Sequence, residues 1–309
     1  MKIVITGGTG FVGAHLCRHC LGAGHEVTAI GSRPAFDGIH HSRFRYLAAD
    51  TTRSGDWQTQ VGAADLVYNL AGRNIFQRWT AAYKRQIYDS RILTTRNLVE
   101  ALQTLGAATL ISTSAVGYYG SSGDTELTED SPRGDDFLAA LARDWEAEAQ
   151  RAASGGTRVV IARFSIVLGS DGGALAKMVP AFRAFLGGPL GNGRQWFPWI
   201  HIKDLLAAMA FLAERTDLHG PFNICAPHPV TNSQMARALG HVLERPARMA
   251  VPAFMLKMTM GELATALLSS QRAVPARLMS AGFEFGFPRV DRALADLLGS
   301  PTVVEAQDQ

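Results

Sequence analysis

The chain has 309 residues, 47% of them hydrophobic and 18% charged, with a net charge of +3. That is enough for one large α/β unit and a smaller companion around a sizeable core. Lys and Arg are scattered, which leaves no footprint for nucleic acid or an anionic membrane, and no apolar run reaches the ~18 residues a membrane span needs.

Met1 leads straight into an apolar run, so a cytoplasmic protein without a leader is expected. Ile3 to Ile5 reads as a strand buried on both faces, followed by Thr6-Gly-Gly-Thr-Gly-Phe-Val-Gly13 and a helix from Phe11 to about Ala23. Gly8, Gly10 and Gly13 satisfy G-x-G-x-x-G, and Gly7, Gly10 and Gly13 the looser G-x-x-G-x-x-G. Such a turn needs glycine to bend tightly, to let amides approach a pyrophosphate and to close helix on strand, while the helix end supplies partial positive charge. With the strand-like run His25 to Ile30 this completes a βαβ unit. Cys17 and Cys20 form C-x-x-C with His15 and His19 nearby, but all four fall in the helix that packs on the sheet and no second ligand pair occurs. No metal site is expected.

The second strand ends in Gly31-Ser-Arg-Pro34. An acid here would accept from a ribose 2′-hydroxyl, whereas Ser32 and Arg33 suit a 2′-phosphate, so the sequence points to NADP(H). A third strand, Phe44 to Ala48, ends in Asp50, placed to accept from an adenine amino group. A fourth ends in Asn69-Leu-Ala-Gly72, a small-residue turn over which a cofactor can pass. A helical region from about Thr80 to Leu105 carries Gln86 and Arg91, with a break expected near Asp89-Ser90. The fifth strand, Ala107 to Ser114, runs into Val116-Gly-Tyr-Tyr-Gly120 and a polar loop over 121–135. A helix from Asp136 and a sixth strand, Thr157 to Phe164, follow. This alternation predicts a Rossmann-type doubly wound parallel sheet over residues 1–169, with later elements returning to it. A smaller C-terminal mixed α/β substrate domain is expected over 170–298 and a flexible tail over 299–309. In the second unit, Gly187 to Trp199 is a loop dense in glycine and aromatics, Trp199 to Asp204 a strand entering a helix, and Thr231 or Asn232 a helix cap.

Together these stretches resemble the extended short-chain dehydrogenase/reductase superfamily, and more closely a subgroup labelled epimerase family protein. The resemblance rests on Thr6 to Gly13, Asn69 to Gly72, Arg78-Trp79, Ser90-Arg91, Ser112 to Gly120, Asp144-Trp-Glu146, Arg163 to Gly169, Gly172 to Met178, Gly187 to Gly193 and Gln271 to Leu278. It implies NADP(H) held by Gly7, Thr9, Gly10, Phe11, Val12 and Gly13, by Ser32 and Arg33, by Leu70, Ala71 and Gly72, by Gln86 and Arg91, and by Val167. It also implies a small-molecule substrate in a cleft between the two units, and leaves a homodimer open.

The superfamily's acid/base is a tyrosine in Tyr-x-x-x-Lys, and none of the six tyrosines here has a lysine four residues on. Ser114, at the place of the superfamily serine, and Tyr118 or Tyr119 are the substitutes the sequence offers. Arg194, Trp196, Phe197 and His201 are candidates for holding substrate, a guanidinium beside aromatic faces. Two readings follow. One is an NADPH-dependent oxidoreductase acting on a small oxygenated compound, a nucleotide sugar among the choices, with net reduction favoured over epimerisation. The other is a catalytically weak NADP-binding sensor or regulatory scaffold.

Overall fold

A computed structural model describes residues 1–105 and 109–299. The expected fifth strand therefore begins outside the described residues, and so does nearly all of the expected tail. Seven strands carry the fold: β1 (Lys2–Thr6), β2 (Glu26–Gly31), β3 (Phe44–Ala48), β4 (Leu66–Asn69), β5 (Thr109–Ala115), β6 (Arg158–Phe164) and β7 (Gly220–Ile224). They form one parallel sheet in the order β7-β6-β5-β4-β1-β2-β3. The order reverses between β1 and β4, which opens a crevice at their carboxyl ends.

Alternation along the strands builds a core on each face. Ile3, Ile5, Leu66, Tyr68, Val160 and Ala162 meet α1 (Phe11–Gly22) and α6 (Ile202–Glu214) on one side. Val4, Val67, Val159 and Ile161 meet α2 (Trp57–Gly62), α3 (Ala81–Leu105) and α4 (Phe137–Gln150) on the other. Burying a large aliphatic side chain contributes about 1.5–3 kcal/mol, so these two layers fix the strand order.

The helix α3 runs unbroken. The expected break is absent: Ile87 and Ile92 are buried on either side of it, and the Ser90 hydroxyl, which donates back to Ile87 O at 2.9 Å, accepts from the Arg73 amide at 3.0 Å and ties the helix to the loop after β4.

The second lobe gathers α5 (Leu175–Arg183), α7 (Asn232–Val242) and α11 (Val290–Leu298) around Leu168, Trp199, Met235 and Leu239. Thr231, one of the two expected caps, is the N-cap of α7 and closes a capping box with Gln234. Three short helices, α8 (Ala253–Met260), α9 (Leu263–Leu268) and α10 (Ala276–Ser280), fill the stretch between α7 and α11. The strand pair Arg272–Ala273 with Glu126–Leu127 fastens this stretch to the loop after β5. No helix among the described residues is long and apolar enough to cross a membrane.

Candidate functional site

The turn after β1 is as tight as its glycines require. At Gly7 the φ is +69°, and a Cβ would stand 2.8 Å from Leu70 O; at Gly13 a Cβ would stand 2.2 Å from Gly7 O. The α1 N-terminus beyond it has no capping side chain and no acid in its first turn. Its first-turn amides and their partial positive charge are therefore open to an anion. Leu70, Ala71 and Gly72 pass beside the turn, tied by the Leu70 amide to Thr6 O at 3.1 Å.

Beneath the crevice runs a buried polar chain. Thr6 Oγ1 donates to Asn69 Oδ1 at 2.8 Å, the Asn69 amide reaches Thr95 at 2.9 Å and Ser112 at 3.2 Å, and Trp145 Nε1 donates to Thr95 at 2.8 Å. It locks the ends of β1, β4 and β5 to α3 and α4. Arg91 lies along Gly72, donating to the carbonyls of Arg73 and Ile87, both at 3.1 Å, with its guanidinium 5.2 Å from the Trp145 ring. Burial pushes its pKa down to about 10, and no carboxylate among the described residues pairs with it. Gln86 stands exposed on the same helix.

At the end of β2, Ser32 and Arg33 are exposed, and the Arg33 guanidinium makes no hydrogen bond among the described residues. The Tyr46 hydroxyl lies 3.0 Å from Gly31 O and 2.6 Å from Arg33 O, which holds the backbone there. Asp50 instead turns onto its own loop, accepting from the Thr52 amide at 3.1 Å and hydroxyl at 2.7 Å.

Phe11 reaches the second lobe. Its ring fills a space left by Gly169, Gly172 and Gly173, where added Cβ atoms would come within 2.5, 2.4 and 2.9 Å of it. His15, one turn on, meets Asp171 at 3.0 Å. Val167 lies half-buried in the adjacent strand Ile166–Gly169. Cys17 and Cys20 are buried beneath, and burial pushes both thiols up to about 12.

The far end of the crevice is organised by an ion pair that sequence reading missed. Arg163 on β6 and Glu146 on α4 form a two-pronged pair, each contact 2.8 Å. Ser114 donates to the same carboxylate at 2.6 Å and is 1% exposed. Arg163 also donates to the Tyr119 hydroxyl at 2.9 Å, and that hydroxyl donates to Asn223 Oδ1 at 2.7 Å. Tyr119 is thus sealed inside, and its phenol is raised, chiefly by burial. Tyr118 differs. It is half-buried, its ring 3.7 Å from the Arg163 guanidinium, and its hydroxyl has no partner among the described residues. A charge inside the apolar strand Val159-Val-Ile-Ala-Arg-Phe164 was the signal for this pair, because buried charges need partners.

The substrate candidates separate. Arg194 is exposed and its side chain makes no hydrogen bond among the described residues. Trp196 donates to Asp124 at 2.8 Å beneath the Arg272 guanidinium, 5.0 Å from its ring. Phe197 packs in the second-lobe core. His201 is fully buried, stacked on Phe287 at 3.9 Å and capping α6 through Nδ1, which accepts from the Lys203 amide at 3.0 Å. It is closed off from any ligand.

A family model described as the NAD dependent epimerase/dehydratase family matches residues 3–225, and one described as a domain of unknown function (DUF1731) matches residues 251–297. An epimerase family protein of Bos taurus, SDR39U1, is 39% identical over 96% of this chain and 100% of its own length. Epimerase family protein YfhF of Bacillus subtilis is 36% identical over 98% and 100%. The crystal structure of human epimerase family protein SDR39U1 (isoform 2) with NADPH superposes with a TM-score of 0.85 and 33% identity, covering 96% of this chain and 99% of that one.

Proposed function

Because this chain belongs to the NAD dependent epimerase/dehydratase family, we propose that it is an NADP(H)-dependent oxidoreductase acting on a small oxygenated compound, with net reduction its favoured direction. The observation that carries this reading is the open α1 N-terminus together with an exposed Arg33 at the end of β2, whose guanidinium has no partner among the described residues. The first suits a pyrophosphate and the second a 2′-phosphate. The human relative that superposes on 96% of this chain is described with NADPH. When bound, NADPH supplies a hydride for a carbonyl carbon.

The chain's own residues must then manage the oxygen. A carbonyl that accepts hydride leaves an alkoxide, and a positioned acid contributes typically 10²–10⁴-fold. Ser114 offers lone pairs but no free hydrogen, since its own is committed to Glu146. The Tyr119 hydroxyl is committed to Asn223. Tyr118 is left as the donor, its ring held by Arg163 and its hydroxyl free. A neutral phenol can donate without prior ionisation, which fits the missing lysine and favours reduction.

The same commitments of Ser114 and Tyr119 also favour a second reading, an NADP-binding sensor without turnover. Following NADPH oxidation with a panel of aldehydes and ketones separates the two. Consumption that falls in Tyr118→Phe supports the enzyme; tight NADPH binding with no consumption across the panel supports the sensor.

A further inference from the structure

A cavity of about 240 Å³ opens between the Rossmann unit and the C-terminal stretch, lined by Trp79, Asp136, Phe137, Leu138, Glu262, Thr265 and Ala266. One of its walls, Leu138, has its Cβ 3.5 Å from where a Cβ on Gly117 would stand, which joins the cavity to the turn that carries Tyr118. Trp79 and Phe137 pack edge to face at 5.3 Å, so much of the wall is aromatic.

Both carboxylates that line it are already engaged. Lys84 pairs with Glu262 at 2.6 Å, its ammonium also 5.2 Å from the Phe137 ring. The N-terminus of α4, otherwise a ready anion site, is capped by Asp136, whose Oδ1 accepts from the Ala139 amide at 2.9 Å. Arg78 is exposed, its Nε about 4.0 Å from where a Cβ on Gly261 would stand. A diphosphate placed in this cavity would face the carboxylates of Asp136 and Glu262, which repel it.

We propose that this cavity takes the uncharged, mainly apolar part of a carbonyl or alcohol substrate, and that nucleotide sugars are excluded from it. Its volume falls below the ~300 Å³ low end of ordinary ligand pockets, which suits a ring or short chain. Three of its lining residues, Glu262, Thr265 and Ala266, come from the C-terminal segment, so that segment sets the substrate class. The proposal rests on the oxidoreductase reading for its chemistry, but its binding test does not.

The probes are acetophenone and UDP-glucose, followed by ligand-observed NMR on the full chain with and without NADP+. Acetophenone should bind wild type and weaken at least tenfold in Thr265→Trp, an exposed site where the larger ring fills the cavity without disturbing the core. Ala266→Phe provides a second filling variant, and NADP+ affinity should be unchanged in both. UDP-glucose binding that the filling variants abolish overturns the proposal. So does acetophenone binding that neither variant alters, or its failure to bind wild type. Acetophenone that binds but is never reduced leaves the cavity assignment standing and removes the enzyme reading alone.

Discussion

The hydroxyl of Tyr119 sits between Arg163 and Asn223, and removing it leaves two buried partners short of a hydrogen bond. Tyr119→Phe should therefore cost about 1–3 kcal/mol of stability in denaturant unfolding. Tyr118→Phe removes no hydrogen bond among the described residues, so stability should hold while NADPH-dependent turnover falls at least ~100-fold at unchanged NADPH affinity. The reverse pattern, with Tyr119→Phe stable and inactive, would move the proton donor to the neighbouring residue. Sequence alone could not divide these two, because what separates them is contact with Arg163 and Asn223, 44 and 104 positions away from Tyr119. His201 was misplaced for a similar reason. The sequence offers it as a substrate contact, but Phe287 and Asp296, which enclose it, arrive from the far end of the chain.

At the level of elements, the strands and the glycine turn were legible because alternation, β-branching and G-x-G-x-x-G are local signals. The C-terminal stretch was read only coarsely, since short helices such as α9 and α10 carry too few turns to show a period. Their role lies in long-range ties. Glu129 accepts from the Asn223 amide at 2.9 Å and lies 3.3 Å from the Arg277 amide, and burial raises its carboxyl. Arg277 donates to Pro221 O at 2.7 Å and His219 O at 2.9 Å, across the start of β7. Arg277→Ala should cost about 2–3 kcal/mol, from the carbonyls it leaves unpaired. Hydrogen exchange should speed up first at the Glu126–Leu127 and Arg272–Ala273 pairing. Exchange that rises uniformly over the main sheet would show that α10 is not a separate clamp.

For the whole molecule, the two lobes meet through residues that respond to pH. Burial pushes the His201 imidazole down to about 4, with Asp296 Oδ2 3.2 Å from Nε2 and the Lys203 ammonium also facing that carboxylate. The unfolded chain then binds the extra proton more readily, so this contribution is complete above about pH 6.5 and is lost as pH falls toward 4. Its ceiling is on the order of 3 kcal/mol. Lys203 holds the Asp296 carboxyl below its usual range, so its contribution fades at lower pH still. His201→Asn, which keeps a capping acceptor, should flatten the fall in stability between pH 6.5 and 4.5; equal slopes would mean the imidazole does not titrate there. The Rossmann sheet and the return of later elements to it were readable from sequence, whereas the docking of Phe11 among Gly169, Gly172 and Gly173 depends on packing across more than 150 residues. The central claim is that this crevice holds NADP(H) and reads its 2′-phosphate through Arg33. Isothermal calorimetry of the purified chain with NADPH and NADH, repeated on Arg33→Ala, tests it directly. NADPH should bind at least tenfold more tightly than NADH, ~1.4 kcal/mol, and the variant should lose most of that margin. Equal affinities for the two cofactors in the wild type, or a preference that survives the substitution, would contradict it.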